Sequence, residues 1–307
     1  MPLPSPHKVV AIGAIHLDTI AHAGEPIRSE TSTPAEFSTR PGGVATNVAR
    51  VLARLGIETS LAGTVGDDAA AGMLVSRLTS EGIGLVYATR HGSSTGQYLA
   101  LHDPDGTLAA ACVDDRILSE APPELFDPIL DDLVADARPE TIWFVDANLP
   151  ESMLARVADR LSGRRRIANA VSDAKASRLK SVLSHLDCLF LNRGEAAALT
   201  GAAEAASAED LADALAKTGL RRFVLTGGGA DVLVGEDGAL RRFSAPRTEI
   251  VDVTGAGDAL TAGTLAALAR GLPLSQAVPY GLAAAALTLR ATGALADNLS
   301  WDALTQP

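Results

Sequence analysis

Short apolar runs alternate with amphipathic stretches through most of the chain. The runs cover 8–14, 57–62, 141–145, 165–171, 186–191 and 221–225. Each is too short for a helix, so each reads as a strand buried on both faces. Between them, apolar residues recur at helical spacing near 67–82, 150–162, 174–185, 207–218, 258–270 and 275–290. One more helix opens after residue 43. Val44, Val48, Val51, Leu52 and Leu55 share a face there, and Gly56 ends it. Such alternation predicts an α/β fold, a mainly parallel central sheet with helices on both faces.

Two stretches break the rhythm. Residues 16–40 are polar with weak alternation. Residues 95–113 read as two strands joined by the turn Asp103-Pro104-Asp105-Gly106. Strands that interrupt an α/β body do not easily join its parallel sheet. They predict a small separate β-flap, either a cover for a site or a plain surface hairpin. No repeat or long linker divides the chain. It reads as a single domain over 1–307, with the flap drawn from about 16–40 and 95–113.

Composition narrows the partners. With 47% hydrophobic residues the chain can bury a sizeable core. The formal net charge is −11 and no basic block stands out, which argues against nucleic acid. A polyanionic substrate must then be held by backbone amides, metal and a few cations. Cys112 and Cys188 are far apart and fit two reduced, core or near-core thiols of a cytoplasmic protein. Residues 1–8 lack the pattern of a signal peptide. The Ala-rich stretch 282–289 is too short to span a bilayer, so no membrane association is expected. The six histidines show no metal-ligand spacing.

The densest chemistry lies in Val251-Asp252-Val253-Thr254-Gly255-Ala256-Gly257-Asp258, directly before a helical pattern. Gly255, Ala256 and Gly257 let amides converge, and the helix start adds its positive end: an anion hole. Asp258 at its edge suits a base that takes a proton from a hydroxyl attacking a phosphate. The alternative is a tight turn with Asp258 as a helix cap. Other segments add to this. Gly42 and Gly43 permit close backbone approach, and Asn47 in the next helical turn can bond sugar hydroxyls. Asp18, in a loop after the first strand, suits a polyol. Asn192 and Glu195 read either as partners of magnesium-bound water or as a capping box; spacing alone favours the box. Thr226-Gly227-Gly228-Gly229 ends a strand where a nucleotide can pass, or simply turns into the next strand at 231–235. Gly13-Ala14-Ile15-His16 is not a dinucleotide fingerprint, which removes the corresponding oxidoreductases.

These motifs, in this order, resemble the ribokinase family, the PfkB carbohydrate kinases. The matching residues are Gly42-Gly43-x-Ala45-x-Asn47, Asn192-x-x-Glu195, Thr226-Gly227-Gly228 and Asp252-x-Thr254-Gly255-Ala256-Gly257-Asp258. The resemblance implies a ribokinase-like fold with a β-lid over the sugar. It implies ATP- and Mg²⁺-dependent phosphorylation of a primary hydroxyl, with a monovalent cation such as K⁺ as a further candidate. By position it makes Asp258 the general base and Gly255, Ala256 and Gly257 the anion hole. Asn192 and Glu195 serve magnesium and phosphate, and Thr226 and Gly228 lie by ATP. Asp18, Gly42, Gly43 and Asn47 hold the sugar, and a homodimer through the lid is implied as well. Val44 stands where ribokinases proper tend to carry Lys. Instead, Asp146-Ala147-Asn148-Leu149-Pro150 and Val171-Ser172-x-x-Lys175-Ala176 look like the corresponding stretches of the family's pseudouridine kinases. That resemblance places Asn148 at the sugar or base, and Lys175 either near ATP or at a strand end. The expected acceptor is a nucleoside or sugar, pseudouridine foremost.

Overall fold

The computed structural model describes residues 6–203, 205–229 and 231–305. The strands are β1 (Val9–Ile12), β2 (His16–Ala23), β3 (Ala35–Gly42), β4 (Thr59–Val65), β5 (Gly84–Thr89), β6 (Gly96–His102), β7 (Leu108–Asp114), β8 (Ile142–Asp146), β9 (Arg165–Asn169), β10 (Cys188–Asn192), β11 (Arg222–Thr226), β12 (Val232–Glu236) and β13 (Ala239–Phe243). The helices are α1 (Val44–Arg54), α2 (Ala69–Ser80), α3 (Arg116–Ser119), α4 (Asp127–Asp136), α5 (Glu151–Arg160), α6 (Asp173–Ala176), α7 (Arg193–Thr200), α8 (Ala208–Lys217), α9 (Ala256–Ala269), α10 (Leu274–Leu289) and α11 (Trp301–Thr305).

Nine strands form the main sheet in the order β13-β12-β11-β10-β9-β8-β1-β4-β5. Pairing is parallel from β11 through to β5, and antiparallel only where β12 and β13 close the far edge. The strands read as continuous apolar runs because both faces are covered. Successive residues of β8 show this: Phe144 belongs to the core cluster that includes α1, α9 and α10, and Trp143 to the cluster on the opposite face, which includes α5. Among the described residues, no helix is long and apolar enough to cross a membrane.

The second sheet has the order β3-β2-β6-β7. It is made from the two segments that break the α/β rhythm. Register places Arg40, Asp18 and Tyr98 side by side on β3, β2 and β6. Asp18 therefore lies within a strand, not in the loop expected for it. The residues after Gly13 extend at once into the second sheet instead of turning back. The 174–185 helix is also different: α6 ends at Ala176 and a 3₁₀ segment, Ser177–His185, completes it. Cys188 is buried, with its thiol pushed up to about 12 by burial. Cys112 is exposed, because every residue of β7 before Asp114 is exposed on this edge strand. It is not a core or near-core thiol.

Candidate active site

The candidate residues gather where β1, β8, β9, β10 and β11 end, the edge at which open α/β sheets bind ligands. Gly255 adopts φ 74° and caps α9 without any side-chain bond. A Cβ there would also collide with Ala294, so both conformation and space require glycine. The first amides of α9 have no acceptor inside the helix, and Ala256 N donates back to Val253 O at 3.3 Å. Asp252 fixes the loop before them by accepting from Thr254 N and Gly293 N, each at 2.8 Å.

Asp258 is the third residue of α9 and does not cap it. Its Oδ2 accepts instead from Asn47 Nδ2 at 2.8 Å, which joins α9 to α1 across 211 residues of sequence. Burial, opposed by the Asn47 bond and aided by Asp146, Asp18 and Glu195, raises its carboxyl to about 7. No protein cation is among the groups acting on it. A carboxyl poised there can take a proton near neutral pH. Asn47 Oδ1 is buried without a donor.

Asn192 and Glu195 form the capping box favoured by their spacing. Asn192 Oδ1 accepts from Glu195 N at 2.9 Å, and Glu195 Oε2 accepts from Asn192 N at 2.8 Å. The pair is more than a cap, because it lines a cavity of about 120 Å³ together with Asp258 and Thr226. Burial chiefly, with Asp173 adding to it, pushes Glu195 up to about 7. Thr226, Gly257 and Leu260 are shared with an adjoining cavity of about 290 Å³, which Gly228, Ala256 and Ile250 also line. The Thr226–Gly228 loop and the start of α9 thus meet at one continuous opening.

On the other side, a Cβ on Gly42 would collide with the Asp18 carboxylate, and one on Gly43 (φ 95°) would lie 2.5 Å from Ala14 O. Both glycines are demanded by the close approach of β2 and the start of α1. Asp18 is half-buried, and burial raises it to about 6 despite Arg40 and Arg50. Asn148, expected at the sugar or base, has its amide spent internally. Nδ2 donates to Asp146 Oδ2 at 3.0 Å, and Oδ1 accepts from Lys175 Nζ at 2.7 Å. Lys175 therefore sits at the strand end, bonded to Asn148 and to Asp115 at 3.1 Å, rather than by the glycine-rich loop.

Asp146 is the residue that sequence reasoning left without a role. It is fully buried, and its carboxylate accepts from Ala14 N, Ala45 N, Asn148 N and Asn148 Nδ2. Burial raises its pKa against all four bonds. A carboxylate directly after a fully apolar strand was the available signal. Among the described residues, no three His, Cys, Asp or Glu side chains converge as a ready metal site. A divalent cation would need phosphate oxygens and water to complete its shell. The buried Glu195 carboxylate, with no cation acting on it, fits that arrangement.

The pfkB family carbohydrate kinase model matches residues 6–301. The chain is 29% identical over 289 residues to the pseudouridine kinase of Escherichia coli, covering 92% of this chain and 90% of that one. A solved carbohydrate kinase from Agrobacterium tumefaciens superposes with a TM-score of 0.85 at 30% identity, covering 97% and 95% of the two chains. An Arabidopsis thaliana ribokinase, solved in complex with ribose and ATP, shares the fold with a TM-score of 0.82 at 23% identity over 99% of this chain and all of that one. With its family match over residues 6–301, the chain belongs to the pfkB family of carbohydrate kinases and is a phosphotransferase with an alcohol group as acceptor.

Proposed function

We propose that this enzyme transfers the γ-phosphoryl group of ATP to the 5′-hydroxyl of a nucleoside, pseudouridine foremost. The observation that carries the substrate is the contact between Lys175 and Asn148. It joins the two stretches, 146–150 and 171–176, that resemble pseudouridine kinases, and the similarity to the E. coli enzyme points the same way.

The geometry divides the work. Asp18 and the backbone of Gly42 and Gly43 receive the ribose hydroxyls. Asn47 Oδ1, buried and lacking a donor, accepts from one more. The 5′-hydroxyl loses its proton to Asp258 as its oxygen bonds to the γ-phosphorus. The bond from that phosphorus to the bridging oxygen breaks, and ADP leaves with the electron pair. The amides of Gly255, Ala256 and Gly257 hold the charge on the transferring group. The apolar walls of the 290 Å³ cavity, Ile250 and Leu282 among them, suit an adenine ring. Asn192 and Glu195 would hold Mg²⁺ through water, and the ion supplies neutralisation of phosphate charge. K⁺ remains a candidate accessory ion.

The four-stranded sheet acts as a lid in this reading, carrying Asp18 onto the sugar. On the face opposite Asp18 it exposes Phe37 and Leu99 at 69% and 37%, and these apolar positions support a homodimer through the lid. A coupled ADP-release screen tests the proposal, with pseudouridine, uridine, cytidine, adenosine, ribose and fructose as acceptors. Pseudouridine should give the highest kcat/KM. A clear preference for ribose, fructose or adenosine overturns it.

A further inference from the structure

Lys175, like Asn148, is a candidate residue that the reaction above does not use. Its side chain is only 15% exposed. It spans two parts of the molecule: Asp115, just beyond β7 of the second sheet, and Asn148, just beyond β8 of the main sheet. An ammonium only donates and a carboxylate only accepts. The Asn148 amide lies between one of each, Lys175 on its oxygen and Asp146 on its nitrogen. A flipped amide would set donor against donor and acceptor against acceptor. Lys175 thus locks Asn148 in the orientation that feeds a hydrogen bond to Asp146.

The bonds continue from there. Asp146 Oδ2 accepts from Ala45 N at 2.8 Å, in the first turn of α1. Two residues on, Asn47 Nδ2 holds Asp258 at 2.8 Å. We infer that Lys175 is a positioning residue, acting through Asn148 and Asp146 to set the start of α1 and so the Asn47–Asp258 pair, with Asp115 tying this chain to the lid. Without the lock, Asn148 is free to turn, and a fully buried carboxylate loses a donor it cannot replace from water. The first turn of α1 then shifts, and Asn47 moves off the Asp258 carboxyl. The anion hole is anchored separately, by Asp252, and stays in place.

The inference rests on the kinase reading, and two measurements keep the two apart. In the acceptor assay, Lys175→Met should lower kcat at least tenfold and leave KM for ATP within twofold. Lys175→Arg, which keeps a donor, should recover most of the loss. In an Asn148→Ala background, Lys175→Met should cost less than a further twofold, because both act through one link. Retention of more than half of kcat, losses that multiply, or a matching rise in KM for ATP would each overturn the inference. If Lys175→Met does not fold, Asn148→Ser breaks the next link and must lower kcat by a like factor; an unchanged rate refutes the chain. If the wild type turns over none of the acceptors, the substrate reading fails, and a crystal structure of Lys175→Met decides the inference alone. An Asn47 Nδ2 to Asp258 Oδ2 separation that opens past hydrogen-bonding reach supports it, and an unchanged one refutes it.

Discussion

Replacing Asp258 by asparagine should make the enzyme more stable and nearly inactive. The carboxyl is held at about 7, against 3.8 in an unstructured chain, chiefly by burial. A folded state that binds the proton more tightly than the unfolded state loses stability as pH rises above ~4, and the loss is complete above ~7. Three pK units set an upper bound of about 4 kcal/mol. Asp258 is half-buried and shares its repulsion with Asp18, Asp146 and Glu195, so water and neighbours reduce the figure. The lost charge on the Asn47 bond reduces it further, which leaves ~1–2 kcal/mol. For a chain of this size that is a gain of roughly 1.5–3 °C in Tm at about pH 8, fading to almost nothing near pH 4. Losing the proton acceptor should cut kcat by ~10²–10⁴. Calorimetry at both pH values, with ADP release at saturating substrates, measures the two effects. An equal fall in Tm at both pH values would show that Asp258 is a structural acceptor. Retention of more than a tenth of kcat would remove it from the mechanism.

The same carboxyls shape the pH dependence: kcat/KM for the acceptor should fall as pH drops through about 7 and then 6, following Asp258 and Asp18, and a flat profile from pH 8 to 5 contradicts their assignment. Glu195→Gln keeps part of the capping box, so it should cost ~1 kcal/mol or less in stability while raising the Mg²⁺ needed for half-maximal rate; an unchanged Mg²⁺ titration leaves only the cap. Gly255→Ala forces an alanine into φ 74° against Ala294 and should lower stability by ~1–3 kcal/mol and weaken ATP binding, both measurable by thermal melts with and without nucleotide. Residues 16–42 and 96–114 should gain protection from hydrogen exchange when nucleoside binds; equal protection with and without it refutes the lid.

Much of this site is legible in the sequence because its parts are local. Gly255, Ala256, Gly257 and Asp258 are contiguous, and the turn they make is dictated within a few residues. The strands of the main sheet are equally plain, since burial on both faces leaves them apolar throughout. Elements at the periphery are not. α4 buries only Leu130 fully; Ile129, Leu133 and Val134 form a short stripe that stays partly exposed among Asp127, Asp131, Asp132 and Asp136. The exposed strand β13 and the edge strand β5 lack the pattern for the same reason. Asp146 and Lys175 were hidden differently. Their roles depend on Ala45 and Asp115, which are 101 and 60 positions away, and no local pattern encodes such pairings.

The packing of α9 has a consequence for how this enzyme can change. Every residue from Ala259 to Ala269 is buried, and Gly263 faces α10 at a point where an added methyl would meet Tyr280 O and Gly281. Gly281, in return, leaves no room against Leu260 O and Thr264. A helix pressed into its neighbour in this way cannot turn or slide. The Asp258 carboxyl it carries has one fixed address, whatever acceptor molecule arrives. Change of substrate is therefore expected in the four-stranded sheet and the loops facing it, while drift where α9 and α10 touch is limited to side chains no larger than those already present.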